Sequence, residues 1–165
     1  MEPIGEKDLR ASFVNCSKGE ARRLSVPRDL PELPWADLDF LGWRDPGAPD
    51  RGYLVTEYAG DLVGVTLRTP QSSHRSFTRT TACAMCLTGH PGSGVSLLAA
   101  PRAGTPGRQG NTVGAYFCSD LACSLYLRGK KQTGLLRYEE TLTLDERVTR
   151  TLTNLHVFLD KVLAP

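Results

Sequence analysis

Acid is nearly missing from the middle of this chain. Between residues 71 and 137 the single acidic residue is Asp120, against eight Lys and Arg, a net charge of +7. The flanks are the reverse. Residues 1–70 carry nine basic and twelve acidic side chains, and residues 138–165 carry three and five. The overall charge of +2 therefore conceals a basic segment between two acidic ones. Such a segment is either a solvated surface or the footprint of an anionic partner, RNA phosphate or an acidic protein face. Also missing is any apolar run near the ~20 residues that a membrane span needs. Met1–Arg10 alternates charged and apolar residues without a secretory h-region, so a cytoplasmic protein is expected. No internal repeat is visible. With 40% hydrophobic and 23% charged residues the composition is globular, and 165 residues suffice for one ordinary domain or two small ones sharing a core.

What is present is cysteine in a pattern. Four of the five cysteines form two close pairs, Cys83-x-x-Cys86 and Cys118-x4-Cys123. In a reducing compartment two such pairs favour metal over disulfides. A thioredoxin-like redox site would leave Cys118 and Cys123 unexplained. Zinc takes four ligands at tetrahedral corners, with Zn–S near ~2.3 Å, and a two-residue spacer lets one tight turn aim two sulfurs at one ion. Cys83, Cys86, Cys118 and Cys123 are therefore expected to hold one structural Zn2+. His90 and His74 are alternative ligands in place of a cysteine. Catalytic zinc keeps one position open for water. Four cysteines leave none, so no enzymatic activity and no catalytic residues are expected. Cys16 is left over, with a small, buried apolar role as its default.

The surrounding sequence says how the pairs meet. Residues 94–100 and 112–117 read as two strands joined by a basic, Gly-rich loop over 101–110. Ser119 and Asp120 can cap a helix over 121–128 that ends at Gly129. Knuckle, hairpin, then a helix bearing a ligand in its first turns is the order of a treble clef. Upstream, Ile4, Leu9, Phe13 and Val14 suit a short helix, and Lys18 to Leu24 another turn or two. Pro27, Pro31 and Pro34 forbid a long helix there. Trp35, Leu38, Phe40, Leu41 and Trp43 form an aromatic cluster expected in the core. Residues 45–50 read as a loop, and residues 52–58 and 62–68 as a hairpin turning at Ala59-Gly60-Asp61. Residues 70–81 read as a polar linker. At the end, Thr143-Leu144-Asp145-Glu146 has the form of a capping box. Leu144, Val148, Leu152, Leu155, Leu159 and Val162 follow at helical spacing, with the Trp35–Trp43 cluster as the expected partner surface. The fold class is α+β. A treble-clef-like zinc domain (71–137) packs with an N-terminal α/β segment (1–70) and a C-terminal helix (138–165).

Residues 77–131 resemble the carboxyl-terminal zinc-finger domain of the FusB-type fusidic-acid-resistance proteins, which bind elongation factor G. The resemblance rests on Cys83-x-x-Cys86, on Gly94-Val95-Ser96-Leu97, and on the run from Gly114-Ala115-Tyr116-Phe117-Cys118 to Cys123-Ser124, followed by Tyr126-Leu127-Arg128-Gly129. Phe13 to Ala21 is similar to the start of short bacterial relatives. The first half departs from the helical bundle that the resistance proteins carry there. The resemblance implies a non-enzymatic binder of a translational GTPase, acting at the ribosome in translation or in fusidic acid protection. It implies Tyr116 as an aromatic contact. Arg128, Lys130 and Lys131 would join it on a basic partner face. The competing class is an RNA-binding zinc protein on ribosomal RNA, served by the same basic residues.

Overall fold

The computed structural model describes residues 1–70, 81–135 and 140–165. His74, Arg75, Arg79, Arg137 and most of the 70–81 linker lie outside the described residues. In chain order come two short helices, α1 (Glu6–Ala11) and α2 (Lys18–Arg23), and then strands β1 (Leu41–Asp45), β2 (Ala48–Tyr58) and β3 (Asp61–Arg68). Two-residue strands β4 (Thr81–Ala82) and β5 (Gly89–His90) precede β6 (Val95–Pro101). Helix α3 (Gly104–Arg108), strand β7 (Thr112–Cys118), helix α4 (Cys123–Leu127) and helix α5 (Leu144–Leu163) complete the chain.

The hairpin expected from the sequence forms with a two-residue turn. Ala59 and Gly60 sit at φ 52° and 88°, the paired positive values of a type I′ turn, and Tyr58 faces Asp61 as the last ladder pair. β1 is an addition. Residues read as an aromatic cluster and loop pair with β2 from Leu41↔Val55 to Asp45↔Ala48, with an irregularity between Arg44 and Asp45. β6 and β7 pair from Val95↔Cys118 to Pro101↔Thr112. All five form one antiparallel sheet in the order β1-β2-β3-β6-β7, in which β3 meets β6 at Arg68↔Ala99. β4 and β5 form a second, small sheet. The stretch 101–110, read as a loop, contains the five-residue helix α3.

Because strand side chains alternate, the sheet has two apolar faces. On one, Leu54, Val65 and Leu67 join Phe117, the four paired cysteines and the buried residues of α5. On the other, Tyr53 and Val55 join Leu9, Leu30, Trp35 and Leu41 under α1 and α2. α1 and the sheet come close enough for a parallel bridge between Phe13 and Gly64, where a Cβ on Gly64 would lie 2.6 Å from the Ser12 hydroxyl.

The capping box at α5 is present, with Thr143 Oγ1 accepting from the Glu146 amide and the Glu146 carboxylate accepting from the Thr143 amide. Its buried face, however, is Thr151, Leu155, Phe158, Leu159 and Val162, while Leu144 is exposed and Leu152 half-buried. The partner surface is also corrected. Phe158 meets Phe117 of β7 edge-on at 5.3 Å, whereas Trp35 packs on the opposite face of the sheet. Burying each of the large α5 side chains contributes about 1.5–3 kcal/mol. The terminal helix is thus held by the metal-bearing face and not by the tryptophans. Trp43 is half-buried and stands tilted against Tyr53 at 5.1 Å.

Candidate metal centre

The four cysteines reach the centre from three local devices. β4 and β5 bracket a tight turn in which the Leu87 amide donates to the Cys83 carbonyl at 2.9 Å and the Cys83 amide to the Thr88 carbonyl at 3.0 Å. The Met85 amide points at Cys83 Sγ at 3.4 Å. Leu87 closes this knuckle at φ 59°, and Leu121 holds the same left-handed value between Cys118 and Cys123. Both are positions that favour glycine, so the backbone is held there by its surroundings. Cys118 ends β7, and Cys123 begins α4. The Leu121 amide donates to the Cys118 carbonyl at 2.8 Å, and the Ala122 amide to the Asp120 carboxylate at 3.1 Å. Asp120 thus braces the turn into a helix shorter than the expected 121–128.

The four sulfurs lie within 4.8 Å of one another and all four cysteines are buried. Cys83 and Cys123 are 3.7 Å apart, Cys86 and Cys118 3.5 Å. Tetrahedral zinc with ~2.3 Å bonds requires sulfurs about 3.8 Å apart. The donor set therefore fits one Zn2+. Thiol hydrogens from Cys118, Cys123 and Cys86 hold the Cys83 thiolate well below the ordinary thiol range. Hydrogen bonding with Cys118, Cys83 and Cys86, followed by burial, drives Cys123 well above it. One buried negative charge suppresses the next, and a divalent cation removes that conflict. When bound, zinc would cross-link three chain segments, the knuckle, the end of β7 and the start of α4.

The sequence missed the layer around the sulfurs. His90 Nε2 lies 3.2 Å from Cys118 Sγ, outside the group of four, and the side chain is buried. Burial, above all, holds its pKa below the usual imidazole range, and the neutral ring in its Nε2–H tautomer can donate to a Cys118 thiolate. Thr88 Oγ1 lies 3.2 Å from Cys86 Sγ. Tyr126 stands edge-on to His90 at 4.7 Å and donates to Asp120 at 2.9 Å, and Lys131 donates to the same carboxylate at 2.6 Å. The spacing of His90 from Cys86 was the one signal that singled it out, and it pointed to ligation.

The expected partner residues fall near this centre but in different circumstances. Tyr116, on β7, is 53% exposed, and its carbonyl accepts from the Ala84 amide of the knuckle at 2.8 Å. Arg128 is half-buried and grips Asp39 with both nitrogens, at 2.7 and 2.9 Å. Lys130 pairs with Asp37 at 2.5 Å and Lys131 with Asp120, though both remain about half exposed. Arg128 and Lys130 are thus answered by carboxylates from the amino-terminal third, and Lys131 by the segment's own Asp120. Cys16 is half-buried against the amino-terminal cluster, and burial pushes its thiol up.

Sequence comparison now adds a family. The profile described as the FBP C-terminal treble-clef zinc-finger matches residues 8–162. The chain belongs to this family. The match extends to nearly the whole chain, including its amino-terminal half. No curated protein sequence matches. Among solved structures, the fusidic acid resistance protein FusC is similar in fold, with a TM-score of 0.58 and 16% identity. The match covers 98% of this chain and 59% of that one, so this chain spans little more than half the length of FusC. The family's zinc finger and the four buried cysteines agree on one bound metal ion. Among the described residues no helix is long and apolar enough to cross a membrane.

Proposed function

We propose that this chain is a non-enzymatic, cytoplasmic zinc protein that binds elongation factor G and acts at the ribosome. The observation that carries this reading is Tyr116, a large aromatic left exposed on β7 and bonded through its backbone to the zinc knuckle. An exposed ring on a rigid strand is the kind of anchor that dominates protein interfaces. Leu87, 44% exposed at the knuckle, adds a second apolar surface. Lys130 and Lys131 supply positive charge that steers an acidic face, while Arg128, locked to Asp39, holds the loop that carries them. The closed set of four sulfurs leaves zinc no open position, which supports a binding role over catalysis.

Calorimetric titration of purified elongation factor G into the zinc-loaded chain tests this. A complex is expected, with Tyr116→Ala speeding dissociation and charge reversal at Lys130 and Lys131 slowing association. No heat and no co-elution at tens of micromolar would sink it, and a steeply salt-dependent complex with ribosomal RNA would replace it. Fusidic acid protection follows from the same reading. It predicts that expressing the chain raises drug tolerance in susceptible cells, and that Tyr116→Ala abolishes the gain.

A further inference from the structure

On the sheet face away from the metal, β2 and β3 place Arg51 directly opposite Arg68. Like charges at facing positions of an antiparallel pair repel one another. Arg23, in the last turn of α2, lines the same cleft, of about 280 Å3, and all three side chains are exposed to solvent. Among the described residues none of the three forms an ion pair within 4.0 Å, although Arg68 and Arg23 lie in the field of Glu20 and Arg51 reaches the Tyr53 hydroxyl. Nor is Arg23 required at the end of α2, because Arg10 already donates to the carbonyls of Ala21, Arg22 and Leu24.

The cleft does contain two carboxylates, and both are committed. Glu20 closes the capping box of α2 by accepting from the Ser17 amide at 2.9 Å. Asp45 accepts from the Tyr53 hydroxyl and the Gly47 amide, each at 2.8 Å. Three guanidinium groups against two carboxylates leave the cleft one positive charge in excess. Arginine's planar fork matches the oxygens of a phosphate and binds them with charge-assisted hydrogen bonds.

We propose that the cleft between α2 and the β2–β3 hairpin binds a phosphate group, held by Arg51 and Arg68 with Arg23 closing one side. The anion relieves the repulsion between the two facing arginines, which is the physical reason for them to stand together. The volume suits one phosphate and a few waters. The phosphate is either free or presented by an RNA backbone.

The test uses the zinc-loaded full chain. Inorganic phosphate, pyrophosphate and a short oligouridylate are titrated by calorimetry at ionic strength matched with chloride. Phosphate and pyrophosphate are expected to bind above the chloride control, and the R51Q/R68Q double variant to lose about tenfold or more in affinity. A K130Q/K131Q control should bind as before. If oligouridylate binds more tightly than phosphate and R51Q/R68Q weakens both, the source is nucleic acid; if phosphate alone binds, it is a free ligand. In the unmodified protein, phosphate should shift the side-chain Nε–H resonances of Arg23, Arg51 and Arg68, a readout independent of any variant's folding. Absence of binding above chloride, unchanged affinity in R51Q/R68Q, or unmoved arginine resonances would each overturn the proposal.

Discussion

On one face of the sheet, Leu54, Val65, Leu67 and Phe117 meet α5 and the four cysteines. On the other, Tyr53 and Val55 meet α1, α2 and Trp35. The first face takes its ligand-bearing segments from short local devices, a knuckle, a strand end and a five-residue helix, none of which is stable by itself. The ion unites them. The second face has no such clamp and relies on ordinary burial, edge-on aromatic contacts such as Phe13 against Tyr53 at 6.0 Å, and a buried hydroxyl–carboxylate bond. One sheet is shared, so the contrast isolates what each kind of cohesion contributes.

The contrast breaks most severely at the metal. Cys118→Ser, or removal of zinc with a chelator, should cost on the order of 10 kcal/mol. Hydrogen exchange should show protection lost first over residues 81–127. A metal-free protein with an unchanged melting temperature would show that the ion is not structural. Leu9→Ala attacks the other face. The side chain is fully buried, and its loss should cost about 2–5 kcal/mol in urea unfolding. Zinc stoichiometry should stay at one. Loss of zinc from this variant would mean that the two faces fold as a single unit.

Gly42 brings β1 against the metal-bearing face. A Cβ there would lie 2.6 Å from Leu121 Cβ and 2.8 Å from the Leu121 carbonyl oxygen, in the turn between two ligands. Gly42→Ala should therefore cost about 1–3 kcal/mol and hasten zinc release to a chelator. Wild-type release kinetics would argue against coupling through β1.

Tyr53→Phe has the smallest effect, about 1–2 kcal/mol, since it strips one donor from a buried carboxylate. Its pH dependence sharpens the comparison. Burial raises the pKa of Asp45, but bonds from the Tyr53 hydroxyl and the Gly47 and Ala48 amides outweigh it and hold the carboxyl below its usual range. That contribution is complete above the ordinary carboxylate value of ~3.9 and is lost as pH falls through the depressed one. Burial, then Asp45, pushes the Tyr53 phenol up to about 12. Its contribution is complete below the ordinary ~10 and is lost as pH rises from there through about 12. The stability gap between wild type and Tyr53→Phe should be flat from about pH 5 to 9 and narrow at both ends. A gap that grows in acid would reverse the assignment.

Local chemistry is legible in the chain because it depends on neighbours a few residues apart. The Cys83 and Cys118 pairs, the Ala59-Gly60 turn and the Thr143 capping box each follow from spacing, φ preference or a side chain reaching three residues along. Where a segment needs a distant partner, the sequence is silent. β1 exists because β2 offers it an edge, although nothing in Leu41–Asp45 alternates strongly enough to announce a strand. His90 meets Cys118 across 28 residues. Asp39 neutralises Arg128 across 89, and so a basic run read as open surface is half spent inside the protein.

The sequence by itself therefore pointed to zinc, to the two cysteine pairs that would hold it, with His90 and His74 as alternatives, and to a capped terminal helix. These are short-range facts, fixed by bond lengths and by the periodicity of a helix. Tertiary structure alone decided which face of α5 is buried, which charges remain for a partner, and that Arg51 and Arg68 stand opposite each other. Those depend on register between strands and on the packing of a whole sheet, and a one-residue slip in register would reverse every one of them.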